Sequence, residues 1–208
     1  MTDISLFDAI RTQRAIRRFT DDPVPDDAIQ TILEAATRAP SGANRQPWYF
    51  LVIRDAETKR RIGEWYLDGW NVAYGNTQPG DGISSTVYQS ADDLAHHMGE
   101  APVLIMACMD RGTGGMGPSP ITAGASIYPA VQNMLLAARA LGLGTALTTL
   151  HRRHENEVRQ LLGIPDNVET AALIPVGYPA EGERFGGSRR KPVSEVTYHD
   201  RWGQQAPS

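Results

Sequence analysis

The chain has 208 residues, 41% of them hydrophobic and 21% charged, the composition of a globular protein with room for a substantial core. A net charge of −4 and a pI near 5.7 argue against nucleic acid as a main partner, which calls for a basic surface. Apolar runs such as 103–109 are too short to span a bilayer, and the first residues lack the charged-then-apolar layout of a signal peptide. With Cys108 as the only cysteine an intrachain disulfide is excluded, so a cytoplasmic protein with no membrane partner is expected.

Taken in order, Ser5 caps a first short helix carrying Leu6, Ala9, Ile10 and Gln13. Pro25 opens a second, in which Ala28, Ile29, Ile32, Leu33 and Ala36 recur at helical spacing until Pro40. The run from Trp48 to Ile53 is a buried strand, and Asp55 caps a helix to about Tyr66. Residues 68–85 are rich in Gly, Asn, Asp and Ser and read as a loop. A helix over 87–98 follows, then a strand from Pro102 through Met109 that makes Cys108 an inert buried thiol. A long helix over 121–141 has a strongly apolar face, with Gly142 as its C-cap and Pro129 as a point of kinking or division. A strand over 144–150, a helix over 151–162 and a last strand over 170–178 complete the pattern, which is α+β or α/β. The segment 179–208 has few apolar residues and needs another surface to lie on.

Two stretches carry chemistry. Arg14, Arg17 and Arg18 crowd the end of the first helix, and a guanidinium is a planar, permanently charged fork suited to phosphate or to a carbonyl-rich ring edge. Ser41 and Gly42 expose backbone donors without bulk, so a flat ligand can approach the chain closely. Together they point to an anionic, planar cofactor. Other motifs fall away. The run Gly112-Thr113-Gly114-Gly115-Met116-Gly117 matches a dinucleotide fingerprint, but no acidic residue lies between Asp110 and Glu155 to hold a ribose. His151 and His154 lack zinc-helix order, Arg152 and Arg153 between them oppose a dication, and adjacent His96 and His97 point to different helix faces, so no metal site is expected.

The segment from Arg14 to Thr20 resembles the arginine-serine-x-arginine opening of the nitroreductase family of FMN flavoproteins, with Ala15 where that family usually has serine. The resemblance continues through Ala39-Pro40-Ser41-Gly42-Ala43-Asn44-Arg45-Gln46-Pro47-Trp48, Pro129-Ala130-Val131-Gln132-Asn133, Gly142-Leu143-Gly144-Thr145, Thr148-Thr149-Leu150 and Arg189-Arg190-Lys191-Pro192. It implies a single α+β domain over 1–208, with a mostly antiparallel sheet flanked by helices. It also implies an intertwined homodimer in which the arm 179–208 packs on the partner subunit.

On that resemblance FMN lies between the two subunits. Its phosphate meets Arg14 and Arg190, with Arg189 or Lys191 assisting, and Arg17 faces the pyrimidine edge beside Ala15. Pro40, Ser41, Gly42 and Asn44 line the ring from the other subunit, and Leu147, Thr148 and Thr149 meet its central nitrogen or dioxo edge. Structural roles stay open beside these: a helix stop for Ser41-Gly42, plain strand residues for Thr148-Thr149, a solvated cluster for Arg189-Arg190. Arg18 reads as a surface or salt-bridged arginine. The implied function is an NAD(P)H oxidoreductase reducing nitroaromatic or quinone-type acceptors by ping-pong hydride transfer. The flavin carries the hydride, so no catalytic side chain is required. The segments 68–85 and 111–120 are expected at the pocket rim. Alternatives are 5,6-dimethylbenzimidazole synthesis, dehalogenation of iodotyrosine, or a non-catalytic FMN store or sensor.

Overall fold

The structure, a computed structural model, describes residues 4–77, 84–112 and 120–204. Helix α1 (Leu6–Thr12) starts at Ser5, whose hydroxyl accepts from the Asp8 amide, and α2 (Asp26–Ala36) starts after Pro25, as the capping residues predict. Strand β1 (Trp48–Ile53) matches its expected bounds, and Asp55 caps α3 by accepting from the Thr58 amide at 2.8 Å.

Helix α3 (Ala56–Tyr74) does not stop near Tyr66, so the loop expected from 68 is helical for its first two turns. Tertiary contacts override the turn-forming composition there. Trp70 is buried, and Gly69 lies so close to the Leu150 carbonyl that a Cβ would sit 2.9 Å from its oxygen. Helix α4 is Ser85–His97, and residues 78–83 of the expected loop lie outside the described residues. Strand β2 (Val103–Asp110) is followed by Arg111, which pairs with Glu169 at 2.7 Å; the glycine-rich run from 113 lies outside the described residues.

Helix α5 (Pro120–Ala140) runs uninterrupted through Pro129, so of the kink or division expected there the division does not occur. Ile127, Ala130, Val131, Met134 and Ala138 are all fully buried on one face. Burying large apolar side chains is worth about 1.5–3 kcal/mol each, against about 3 kcal/mol for a proline in a helix, so packing wins. Gly142 ends the helix at φ 76°, and the Leu143 amide closes onto the Ala138 carbonyl at 2.8 Å.

The expected strand over 144–150 shrinks to β3 (Gly144–Thr145). The chain leaves the ladder at Ala146, touches it once more where Thr148 and Leu173 exchange both backbone bonds, and enters a 3-10 turn at Leu150–His154. That turn replaces the first part of the expected helix, leaving α6 (Glu155–Leu162). Strand β4 (Val168–Gly177) and the short α7 (Val193–Val196) follow.

The sheet is antiparallel throughout, in the order β1-β2-β4-β3, with Ile53 opposite Leu104 and Val103 opposite Val176. Alternation along the strands sorts the core into two layers. Trp48, Val103, Ile105, Ile174 and Val176 face α2 and α5, while Ile53, Leu104, Met106, Cys108 and Leu173 face α3, α4 and α6. Strand β2 is apolar along nearly its whole length because both its faces are covered. Burial, with the nearby Glu155 charge, pushes the Cys108 thiol up to about 12, so it is inert at neutral pH.

Candidate functional site

The arginine segment is placed by the sheet. After α1 the chain extends beside β3, where Ala15 bridges to Thr145 and the Ile16 amide donates to the Thr145 carbonyl at 2.9 Å. Ile16 is driven fully into the core; a Cβ on Gly144 would meet it at 2.6 Å, so only glycine fits opposite. Period-two alternation then turns Ala15 and Arg17 to the other side. Farther on, Phe19 bridges to Pro179 and the Ala180 amide donates to the Arg18 carbonyl, fixing the start of the tail alongside. Arg18 pairs with Glu183 at 3.1 Å, the salt-bridged role expected for it.

Of the clefts that Arg17 lines, one runs past Asp21, Asp93 and His97, and two carry residues picked out in the sequence. The first, about 530 Å3, is lined by Arg14, Ala15 and Arg17, by Ser90 and Asp93 of α4, and by Arg184 of the tail. The second, about 290 Å3, opens between α3 and α4 and is lined by Arg17, Tyr66, Trp70, Tyr88, Leu147, Thr148 and Thr149, among others. The structure thus gathers Arg14, Ala15 and Arg17 from one end of the chain with Leu147, Thr148 and Thr149 from beyond α5.

Electrostatics single out Arg17. It is half-buried, and desolvation pulls its guanidinium below the usual arginine range while Tyr66 and Glu183 pull the other way. Among the described residues neither Arg14 nor Arg17 makes an ion pair. A partly buried cation without a carboxylate partner is unfavourable unless an anion or electron-rich edge completes it. Tyr66 is buried and shares a 2.9 Å hydrogen bond with the Thr148 hydroxyl; burial raises its phenol.

The turn at 40–44 lies elsewhere in the chain. The Gly42 amide donates to Ser126 of α5 at 3.2 Å and the Gln46 amide to Ser41 at 2.9 Å, while Ala43, Asn44 and Gln46 all take positive φ. None of the clefts at Arg17 includes Pro40, Ser41, Gly42 or Asn44. Three non-glycine residues in the left-handed region hold strain, which tends to collect where a chain is shaped for a ligand or partner.

Arg189 and Arg190 are exposed and line none of these clefts; Arg190 donates only to its neighbour's carbonyl. The tail is anchored as far as Gly186, whose amide donates to the Thr12 carbonyl, and Arg139 stacks over Phe185 at 4.2 Å. From 189 to 204 every residue is exposed, Trp202 at 91%.

Sequence reasoning passed over Tyr66, Trp70, Tyr74, Tyr88 and Arg184. The first three recur at intervals of four, a helical stripe visible once α3 is extended. No such signal marks Tyr88 or Arg184.

The chain is 33% identical over 196 residues to the NADH dehydrogenase of Thermus thermophilus, spanning 88% of this chain and 90% of that one. A nitroreductase candidate from Desulfovibrio desulfuricans, solved in complex with FMN, is 30% identical with a TM-score of 0.70, covering 97% of this chain and 99% of that one. An iodotyrosine deiodinase bound to FMN and 3-iodo-L-tyrosine is 25% identical with a TM-score of 0.75, covering 95% and 99%. The model of the nitroreductase family matches residues 10–178. With that match spanning most of the chain, and solved neighbours that share its fold over nearly its whole length, the chain belongs to the nitroreductase family.

Proposed function

We propose that the chain is an FMN-dependent NAD(P)H oxidoreductase working as a homodimer, in which nitroaromatic or quinone-type acceptors are reduced by ping-pong turnover. The observation that carries this is Arg17: a half-buried cation with no ion pair among the described residues, shared between adjoining clefts and lining one of them with Thr148 and Thr149. FMN is bound in two solved neighbours of this fold, and a relative is named an NADH dehydrogenase.

FMN, when bound, accepts hydride from NAD(P)H and hands the electrons to a second substrate in the same place. Arg14 holds its phosphate together with Arg190 and Arg189, which line none of the clefts at Arg17 in their own chain and have to reach it from the arm of the other subunit, while Arg184 stands beside Arg14 within one chain. Arg17 sits at the pyrimidine edge, where a fixed positive charge favours the anionic reduced ring. Ala15 brings its backbone alongside but no hydroxyl. Leu147, Thr148 and Thr149 present backbone and hydroxyl groups to the central ring. Pro40, Ser41, Gly42 and Asn44 of the partner subunit close the opposite side, which accounts for a strained turn remote from Arg17 within one chain. The whole of 1–208 is read as one domain; the start of the arm 179–208 packs on its own chain as far as Gly186, so it is the exposed part from 189 onward that is laid on the partner.

Purified protein is expected to carry a flavin absorption spectrum that anaerobic NADH or NADPH bleaches in one step. A flavin spectrum that neither nicotinamide bleaches would leave a flavin store or sensor. The deiodinase neighbour keeps iodotyrosine in view as an acceptor.

A further inference from the structure

Helix α3 braces the segment after β3 at two points. The Tyr66 hydroxyl meets the Thr148 hydroxyl at 2.9 Å, and Gly69 packs tightly on the Leu150 carbonyl. The helix itself is fixed, because Ile62 and Tyr66 are buried and the Trp70 Nε1–H donates to Asp92 Oδ1 of α4 at 2.8 Å. From the other side, Thr148 exchanges both backbone bonds with Leu173, at 3.1 and 2.9 Å. With its backbone pinned, the place of the Thr148 hydroxyl depends on one torsion, and Tyr66 holds it. Thr148 is half-buried between exposed Leu147 and Thr149 and lines the cleft that Arg17 also lines.

Two hydroxyls can share one hydrogen bond in either sense, and their acidities choose between the two. A phenol, with an ordinary pKa of about 10, is a far stronger acid than an aliphatic alcohol and so the better donor. Burial raises the Tyr66 phenol, against the pull of Thr148 and Arg17, so it keeps its proton through the neutral range. Tyr66 therefore donates to Thr148 Oγ1, and the Thr148 proton is left for an acceptor in the cleft.

Deepening the FMN reading given above, on which this rests, we infer that Tyr66 is a positioning residue: by donating to Thr148 it fixes the threonine hydroxyl as a donor to the bound flavin and so raises the flavin's reduction potential. A fixed donor is worth more against a ring that has gained electrons than against the oxidised ring. A hydroxyl that accepts one hydrogen bond also donates a stronger one, so the phenol adds to the donor it orients. Tyr66 acts only through the threonine and needs no contact with the ring.

FMN-loaded protein, its loading checked by absorbance, is equilibrated with a reference dye of known potential, and the ratio of reduced to oxidised flavin is read for the parent and its variants. Tyr66→Phe keeps the buried ring and deletes only the hydroxyl. It is expected to lower that ratio about three- to tenfold at a given dye poise, the loss of one neutral hydrogen bond. For two electrons this is a shift of about 14–30 mV. Thr148→Val is expected to lower the ratio at least as far, and adding Tyr66→Phe to it should lower the ratio no further. Tyr88→Phe removes a hydroxyl from the same cleft that is bonded to the Tyr74 carbonyl at 3.2 Å instead, and should leave the ratio where it is. An unchanged or raised ratio in Tyr66→Phe overturns the inference, whatever that variant does to the urea midpoint. So do effects of Tyr66→Phe and Thr148→Val that add in the double variant, or a Tyr88→Phe shift of equal size. Where Thr148→Val binds no flavin, Tyr66→Phe against Tyr88→Phe decides. Protein that takes up no FMN defeats the FMN reading itself, and this inference with it.

Discussion

Replacing Arg17 by alanine is expected to lower FMN affinity by about tenfold to a hundredfold, and to slow reduction of whatever flavin remains bound by about a hundredfold. The first effect follows from losing hydrogen bonds from a charged donor, each worth about 1.5–3 kcal/mol. The second follows from where the charge sits. Arg17 is partly desolvated and has no ion-pair partner among the described residues, so its field reaches a neighbouring ring with little screening. Arg17→Lys should recover part of the affinity but little of the rate, because an ammonium lacks the planar fork. Fluorescence titration of flavin-free protein and stopped-flow reduction by NADH separate the two effects. Unchanged reduction in Arg17→Ala would remove this arginine from the flavin edge.

The second large effect concerns stability in acid. His151 is fully buried in the 3-10 turn, neither ring nitrogen has a hydrogen-bond partner among the described residues, and burial pulls its pKa down to about 4 despite the opposing pull of Glu155. The folded protein therefore keeps this imidazole neutral, whereas an unfolded chain protonates it near 6.5. Above 6.5 the group contributes no pH dependence. As the pH falls from 6.5 to about 4 only the unfolded state takes up the proton, so stability drops by about 3 kcal/mol, and below that the contribution is flat. His151→Leu should remove that slope and leave stability at neutral pH unchanged or higher, since it deletes two unsatisfied buried polar atoms. Urea unfolding of both proteins from about pH 7 to about pH 4.5 measures it. A variant with the same acid slope as the parent would show that another group titrates.

The parts of the fold legible in sequence are those whose causes are local. Ser5 and Asp55 cap the helices they precede, Pro25 starts one, Gly142 ends one, and the β-favouring run from Trp48 to Ile53 is a strand with the expected bounds, although as the edge strand it is buried only at its ends, with Tyr49 and Val52 exposed. The misread parts depend on distant contacts. Asp68, Gly69 and Asn71 look like a loop, yet the helix persists because Trp70 reaches Asp92 and Gly69 nests on Leu150. Pro129 looks like a break, yet a buried face holds the helix together. Thr148 looks like part of a strand, yet it makes one isolated bridge, and Leu147 and Thr149 on either side line a cleft.

At the candidate site the arginine cluster and the threonine pair were readable because their chemistry is unusual for their setting. The aromatic wall was not, since Trp70 and Tyr88 come together only when α3 and α4 pack. Nor could sequence tell which tail arginine lies near Arg14. That depends on the Phe19–Pro179 bridge, which puts Arg184 in the cleft and leaves Arg189 and Arg190 in solvent.

Native mass spectrometry of the freshly purified protein weighs the flavin and the second subunit in one observation. A species of twice the 22.7 kDa chain carrying two FMN is expected, with Trp202→Ala or removal of residues 189–208 shifting it toward monomer and releasing the flavin together. A monomer of the bare chain mass that takes up no FMN on addition, or a dimer that survives loss of the tail with its flavin intact, would contradict the reading of a cofactor held between two copies.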